Sequence, residues 1–389
     1  MNIETVKGFK DFTGEEAEKR EEIRRIIIEN FELYGFQPAE APIIEYKEFV
    51  EGDNSNDKAV SSIFKLQDRG KRDLALRYEF TFQLKRLMRD KKLPYKRYQA
   101  GPVFRDEPIS GNRLRQFTQL DPDIIGSTIK DEAEILAVVK RILEELNIKF
   151  TIFINNRKLL NEILEKNNIE NNNWENVIRE IDKLDKLDEN EVKENLKKFN
   201  AENLLSVFKK SESYFEKYEN YSEVKELKKY CKLYNVNVKF VPSLARGLSY
   251  YNGSVFEIKS EIKETITAGG SYMFNGVQCT GISFGLERLS ILTKIKLKKN
   301  KILIISISQD KKAIEISEKL RKGKIPCIIF YNKISKALDF ANSYQIPFVV
   351  FIGDEEVKKK KFKLKNMNSG KEKLIGEKEL IKELGKPVN

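Results

Sequence analysis

Apolar positions recur at helical spacing through residues 14–34, "GEEAEKREEIRRIIIENFELY", behind the acidic first turn that favours a helix N-terminus. The same spacing over 130–146, "KDEAEILAVVKRILEEL", predicts a second amphipathic helix. After the first helix, "GFQPAEAPIIEY" breaks the pattern with Gly and two Pro and resumes as an extended edge or turn. Residues 60–66 and 74–78 read as short strands, "YEFTFQLKRLMRD" as helix and "YKRYQAGPVFRDE" as strand. Further strands are predicted at 149–155, 237–241, 253–260 and 263–268. Strands and helices are mixed rather than strictly alternating, which points to an α+β fold with an antiparallel sheet.

Residues 158–233 differ: Lys, Glu and Asn dominate around periodic Leu and Ile, and the single tryptophan, Trp174, lies here. This reads as an inserted helical module with a solvated Lys/Glu surface. A charged linker, "LTKIKLKKNK" (292–301), follows the last of the earlier strands. Beyond it, "ILIISIS", "AIEISEKLRKGK", "PCIIFY", "ISKALDFANSYQI" and "PFVVFIG" alternate strand with helix, and "KFKLKNMNSGKEKLI" predicts a hairpin turned at Asn-Ser-Gly. That is a small, mostly parallel βαβαβ unit. No GxGxxG follows its first strand, so it reads as a binding domain rather than a dinucleotide enzyme. The predicted division is a core of 1–157 with 234–300, an insertion at 158–233 and a C-terminal domain at 301–389.

Composition narrows the chemistry. No apolar run approaches the roughly 20 residues of a membrane span, and "MNIETVKGFKDFTGEEAEKR" has no leader character, so the expectation is a cytoplasmic protein without a membrane. The three cysteines (Cys231, Cys279, Cys327) are isolated, and the chain has no histidine. Disulfide scaffolding, imidazole-ligated metal and imidazole acid–base catalysis are therefore excluded. Net charge is +12, and residues 301–389 hold 20 Lys+Arg against 11 Asp+Glu, or +9 of it. A basic C-terminal domain suggests a nucleic-acid partner, with a solvated face in a lysine-rich chain as the competing reading.

Several stretches could carry chemistry. In "GPVFRDEP", Arg105 and Glu107 sit two apart on a predicted strand and face the same way, as a phosphate and a base amino group require; a surface ion pair has the same pattern. "GISFGLERL" (281–289) runs from strand through glycine into a helix with Arg288. "LARGLSYYNGSVFEI" places Arg246 on a small-residue turn before Tyr250 and Tyr251. "RQFTQLDPD" supplies Gln119, Asp121 and Asp123, and "AGGSYMFNG" (268–276) reads as a glycine-rich turn.

In order and spacing these stretches resemble the histidyl-tRNA synthetases, class II aminoacyl-tRNA synthetases, in wording closest to the archaeal and eukaryotic kind. Pro42 in "AEAPIIE" matches the first class II motif, which forms a dimer, and "LRYEFT" (76–81) the substrate loop. "GPVFRDEP…GNRLRQFTQLDPDIIG" matches the second motif, "LARGLSYYNGSVFE" the histidine signature and "GISFGLERL" the third motif. "IPFVVFIGDEEV" resembles the anticodon-binding domain. The resemblance implies that Arg105 holds the ATP α-phosphate, Glu107 approaches adenine, Arg288 meets the far phosphates and stacks over the base, and Arg246 meets the α-phosphate. It gives the amino group of the amino acid to Glu79, Thr81 and Gln119, the imidazole to Asp123 and Tyr251, and the shape of the pocket to Tyr250 and Tyr272. It also implies ATP with Mg2+, L-histidine and tRNA(His) as ligands, and a homodimer. The chain departs from the family at Ser249 (usually Asp), at Ser271 (Arg in the family's "GGRYDG") and at Phe80 (usually Gly). These departures leave a non-catalytic paralogue as the alternative: a histidine-sensing regulatory subunit of ATP phosphoribosyltransferase, or a tRNA-binding regulator.

Overall fold

A computed structural model describes residues 3–52, 58–109, 113–185, 187–245, 250–262, 265–295, 297 and 302–384. The chain divides into two compact units, Met1–Ile295 and Lys296–Asn389.

The first unit is built on an eight-stranded sheet. Its strands, in chain order, are β1 (Gln37–Pro38), β5 (Tyr95–Phe104), β6 (Gln116–Ile125), β7 (Thr151–Asn156), β8 (Val238–Phe240), β9 (Tyr251–Lys259), β10 (Thr267–Phe274) and β11 (Val277–Gly285). Across the sheet the order is β1-β5-β6-β11-β10-β9-β7-β8. The inner pairs are antiparallel, and β1 with β5 and β7 with β8 are parallel. A small sheet of β2 (Ile44–Tyr46), β4 (Asp73–Leu76) and β3 (Lys65–Gln67) accompanies it.

Helices cover one face of the large sheet. α1 (Gly14–Leu33) buries Ile23, Ile26, Ile27 and Phe31, the i, i+3, i+4, i+8 stripe read from the sequence. α2 (Ile129–Glu145) begins at a capping box in which Asp131 accepts from the Thr128 backbone N–H at 2.8 Å. Its Ile135, Leu136, Val139 and Ile142 join Leu120, Ile124, Ile282 and Phe284 of the sheet in one core. Each such side chain contributes about 1.5–3 kcal/mol by leaving water. Residues 157–233 form short helices whose Leu159, Ile163, Val177 and Leu227 belong to the same core.

Four local expectations are corrected. Lys58–Ser61 is helical and only Lys65–Gln67 is strand, so 60–66 is not one strand. "YEFTFQLKRLMRD" contains helix only at Leu84–Leu87; Tyr78 and Phe82 stack at 5.8 Å and seat the preceding residues as a buried loop. Of the glycines in "AGGSYMFNG", Gly269 and Gly270 sit within β10, and the turn is confined to Asn275–Gly276 between β10 and β11. A β-carbon on Gly269 would lie 2.0 Å from the Gly281 carbonyl oxygen, so glycine lets β10 and β11 close up. β5 ends at Phe104, leaving Arg105 and Glu107 in the extended segment beyond it.

The second unit has a five-stranded sheet of β12 (Ile302–Ser306), β13 (Cys327–Phe330), β14 (Phe348–Ile352), β15 (Lys361–Asn366) and β16 (Glu372–Gly376), ordered β13-β12-β14-β15-β16. The first three strands are parallel, with helices Asp310–Lys322 and Ile334–Ser343 between them, and β15–β16 is the predicted hairpin. Ile302, Ile304 and Val350 face one core; Leu303, Ile305 and Val349 face another.

Candidate active site

The face of the large sheet opposite α1 and α2 carries polar side chains at alternate positions. Gln119, Asp121 and Asp123 share that face of β6, while Leu120 and Ile124 point into the helical core. Across the β5–β6 ladder they oppose Gly101, Gln99 and Arg97. All three β6 side chains are buried.

Arg105 reaches this row from the end of β5. Its Nη2 donates to Gln119 Oε1 at 3.3 Å, its Nε to the Tyr78 carbonyl at 3.2 Å, and its guanidinium lies 5.1 Å from the Phe117 ring centre. Gln119 Nε2 in turn donates to Ser283 Oγ at 2.6 Å and to Asp121 Oδ2 at 3.0 Å. Burial pushes the Asp121 carboxyl up to about 7, with Asp123 adding to the rise and hydrogen bonds from Ser283 and Gln119 opposing it.

Asp123 lies at the other end of the row. Its Oδ2 pairs with Arg97 Nη2 at 2.8 Å, and its Oδ1 accepts from the Tyr272 hydroxyl at 2.5 Å. Burial pushes this carboxyl up, while the Arg97 charge and the Tyr272 hydrogen bond pull it back. Reaching Tyr272 on β10 means crossing β11, where Gly281 is the register partner of Asp123. A β-carbon at 281 would sit 2.0 Å from Asp123 Oδ1, so only glycine leaves room. Tyr272 pairs across strands with Tyr251. Tyr250 packs on both rings, 4.7 Å from Tyr251 and 5.5 Å from Tyr272, and shares a side-chain hydrogen bond with Tyr251. Burial first, then neighbouring negative charge, holds the Tyr250 and Tyr272 hydroxyls well above the ordinary phenol range, so both remain protonated donors.

The structure therefore joins Arg105, Gln119, Asp123 and Tyr272 on one surface, with Tyr250 and Tyr251 as its aromatic wall. Glu79 is buried in the loop after β4, and its charge acts on the Tyr250 hydroxyl. Thr81 is half-buried in that loop, where its carbonyl accepts from the Leu84 N–H at 3.0 Å. Other partners hold Glu107 and Arg288. The Glu107 carboxylate is 3.8 Å from Arg113, and Arg288 donates to the Thr265 carbonyl from the helix Leu286–Leu292. That helix is latched by Glu287, which takes the Thr118 N–H at 3.1 Å and Arg20 at 2.8 Å. Arg246 and Ser249 lie outside the described residues.

Sequence reasoning missed Arg97 and Ser283. The signal for Arg97 was an arginine inside a strand, but its meaning needs the register that sets it against Asp123. Ser271 is one of the departures that leave a non-catalytic paralogue open. It points to the helical face, where its hydroxyl donates to Glu132 of α2. Glu132 is buried, and desolvation pushes its carboxyl up to about 7 despite hydrogen bonds from Ser254 and Ser271. Phe80, where the family has glycine, is buried under the Arg77 guanidinium at 4.8 Å. A separate cavity of about 650 Å³, lined by Lys158, Glu162, Lys166, Trp174 and Tyr218 among others, includes none of the predicted site residues.

An antiparallel sheet backed by helices, with arginine, glutamine and aspartate aligned on its open face and a strand running into an arginine-bearing helix, defines a class II aminoacyl-tRNA synthetase fold. The profile of the family "Histidyl-tRNA synthetase" matches residues 8–289, and that of "Anticodon binding domain" matches 301–386. "Histidine--tRNA ligase 1" of Bacillus anthracis is 34% identical over 96% of this chain and 97% of its own length. The crystal structure of histidyl-tRNA synthetase from Nostoc sp. PCC 7120 superposes with a TM-score of 0.87 at 26% identity, covering 99% of each chain. An ATP phosphoribosyltransferase regulatory subunit/histidyl-tRNA synthetase from Bacillus halodurans C shares the fold, with a TM-score of 0.74 at 20% identity over 90% of this chain and 98% of that one. The chain belongs to the histidyl-tRNA synthetase family.

Proposed function

We propose that the protein activates L-histidine with ATP and transfers it to tRNA(His). The observation that carries this reading is the contiguous Arg105–Gln119–Asp121–Asp123–Tyr272 surface in a chain whose family membership spans both the catalytic and the anticodon-binding profiles. The histidine carboxylate attacks the α-phosphorus and pyrophosphate leaves; the terminal ribose hydroxyl of tRNA then attacks the adenylate carbonyl and AMP leaves. The carboxylate is already a nucleophile, so the protein needs to position and to neutralise charge, and the absence of histidine from its own sequence costs it nothing here.

In this reading Arg105 and Arg246 hold the α-phosphate, Glu107 the adenine and Arg288 the far phosphates. Glu79, Thr81 and Gln119 take the α-ammonium, which suits the acidic, acceptor-rich end of the row. Asp123 and Tyr251 take the imidazole, with Tyr250 and Tyr272 shaping its slot. Among the described residues no cluster of three acidic or thiol side chains is placed to hold a metal ion, so Mg2+ is assigned to the ATP phosphates as part of the nucleotide substrate. The working domains are taken as 1–157 with 234–300, 158–233 and 301–389. A homodimer is supported by the small sheet, whose Ile44, Tyr46 and Leu66 share an exposed apolar face. No described helix is long and apolar enough to cross a membrane, and we assign the protein to the cytoplasm.

Histidine-dependent ATP–pyrophosphate exchange by the purified protein tests the proposal. Exchange that requires histidine and no other amino acid is expected. Histidine binding without exchange would instead select the sensing paralogue, and RNA binding alone the regulator.

A further inference from the structure

Arg97 is the largest of the fully buried side chains, with 0% exposure, on a strand that the sequence marks only as "YKRYQAG". Three contacts define its place. Nη2 is 2.8 Å from Asp123 Oδ2 and donates to the Phe80 carbonyl at 3.3 Å, while Nη1 donates to the Asp121 carbonyl at 3.5 Å. Phe80 lies between Glu79 and Thr81 in the loop assigned to the amino group of the substrate. One guanidinium thus bridges the imidazole end of the site and its amino end.

This arrangement is poor economy for stability. Burying a guanidinium is expensive, and Nε finds no hydrogen-bond partner despite being shielded from water. Apolar side chains of similar volume commonly replace buried ion pairs at no loss of stability. What apolar residues cannot supply is a fixed cation beside Asp123, whose neighbour Asp121 is a second buried carboxyl on the same face.

We infer that Arg97 is a specificity-determining positioning residue: it keeps Asp123 an ionised hydrogen-bond acceptor, aimed at the substrate imidazole, and ties that aim to the 79–81 loop. An ionised Asp123 accepts from a ring N–H, whereas a protonated one would donate and call for the other pattern on the ring. Arg97 touches neither ATP nor the reacting atoms in this reading, so its effect falls on histidine alone. The inference rests on the assignment of the Asp123 pocket to histidine made above.

The test is equilibrium binding of L-histidine and, separately, of ATP by calorimetry to the unaltered protein, Arg97→Lys and Arg97→Met, with circular-dichroism melts as a check on folding. Without the cation that fixes Asp123 as an acceptor, Arg97→Met is expected to weaken histidine binding by on the order of 10²-fold or more. Affinity for ATP should stay within about threefold. Lysine restores the charge but not the fork, so histidine binding should recover only in part, to about tenfold weaker than in the unaltered protein. Histidine affinity within threefold of normal in Arg97→Met overturns the inference. So does parallel loss of histidine and ATP binding that lysine does not rescue. Should Arg97→Met fail to fold, Arg97→Lys decides: about tenfold weaker histidine binding with ATP unchanged supports the role, and unchanged histidine affinity removes it. Failure of the catalytic reading shows separately, as histidine binding by the unaltered protein without pyrophosphate exchange.

Discussion

The two units of this chain use charge in opposite ways. The unit ending at Ile295 buries Glu79, Arg97, Asp121, Asp123 and Glu132, whereas the buried polar residues described in the second unit are the hydroxyls Ser306 and Ser317. There the lysines stay at the surface in pairs such as Lys365–Glu372 and Lys373–Glu383. Buried, paired charge and solvated, mostly positive charge therefore suit two kinds of recognition. Inside the first unit, a few charges held in low dielectric can read one small molecule atom by atom. On the second, many solvated charges can attract a polyanion with little geometric demand.

The sharpest break in this contrast should come from Asp123→Asn. Asparagine removes the charge that pairs with Arg97 and turns one of the two acceptor oxygens into an amide donor, so Arg97, Tyr272 and the ring N–H compete for a single oxygen. The KM for histidine in pyrophosphate exchange should rise on the order of 10³-fold, with that for ATP nearly unchanged. Equal rises in both would make Asp123 structural. Removing residues 301–389 should act at the other pole. Histidine activation should persist within about threefold, while aminoacylation of tRNA falls roughly 10²-fold and the difference shrinks as salt is raised, as phosphate contacts require. A truncated protein that charges tRNA normally at moderate salt would deny the second unit its role.

Glu132 offers a smaller effect with a definite sign. Its folded-state carboxyl sits at about 7 against an ordinary 4.5, so the folded chain holds a proton that the unfolded chain releases between those values. Stability is intact below about pH 4.5 and is lost as pH rises through about 7. Glu132→Gln should thus stabilise by about 3 kcal/mol at pH 8 and by almost nothing at pH 4.5, read from urea midpoints. A pH-independent difference would show that the carboxyl is ionised in the fold. Smallest of all, Lys373→Ala in the second unit should shift stability by less than about 1 kcal/mol, because its pair with Glu383 is solvated. A larger loss would mean that surface charge there is structural after all.

Much of this was legible in the sequence, for physical reasons that differ by element. α1, α2 and the strands flanking the hairpin of the second unit announced themselves because each has a single buried stripe or face. Gln119 and Asp123 stand out as polar residues of "RQFTQLDPD", and the family resemblance supplies their roles; that they alternate on a strand shows only in the fold. Arg97 does not stand out, since a lone arginine beside Lys96 looks like a surface residue until β5 and β6 are in register. The glycines of "AGGSYMFNG" look alike in sequence because glycine marks both turns and close strand approach; the Gly269–Gly281 contact puts the first pair in a strand, and only Asn275–Gly276 turns. Ser271 shows the same limit: a substitution seems to empty the pocket until strand alternation puts it on the other face.

The glycine at 281 has a consequence for how such a pocket could diverge. A single mutation to any larger residue would place a β-carbon against Asp123 Oδ1, so the acid and the glycine cannot be tried independently. A lineage enlarging residue 281 must already have shortened residue 123, and that intermediate has a damaged pocket. Positions 123 and 281, on different strands and far apart in the chain, behave as one heritable character. Amino-acid preference at this site is thereby shielded from gradual drift, and laboratory evolution toward another side chain should start from libraries that vary both positions together.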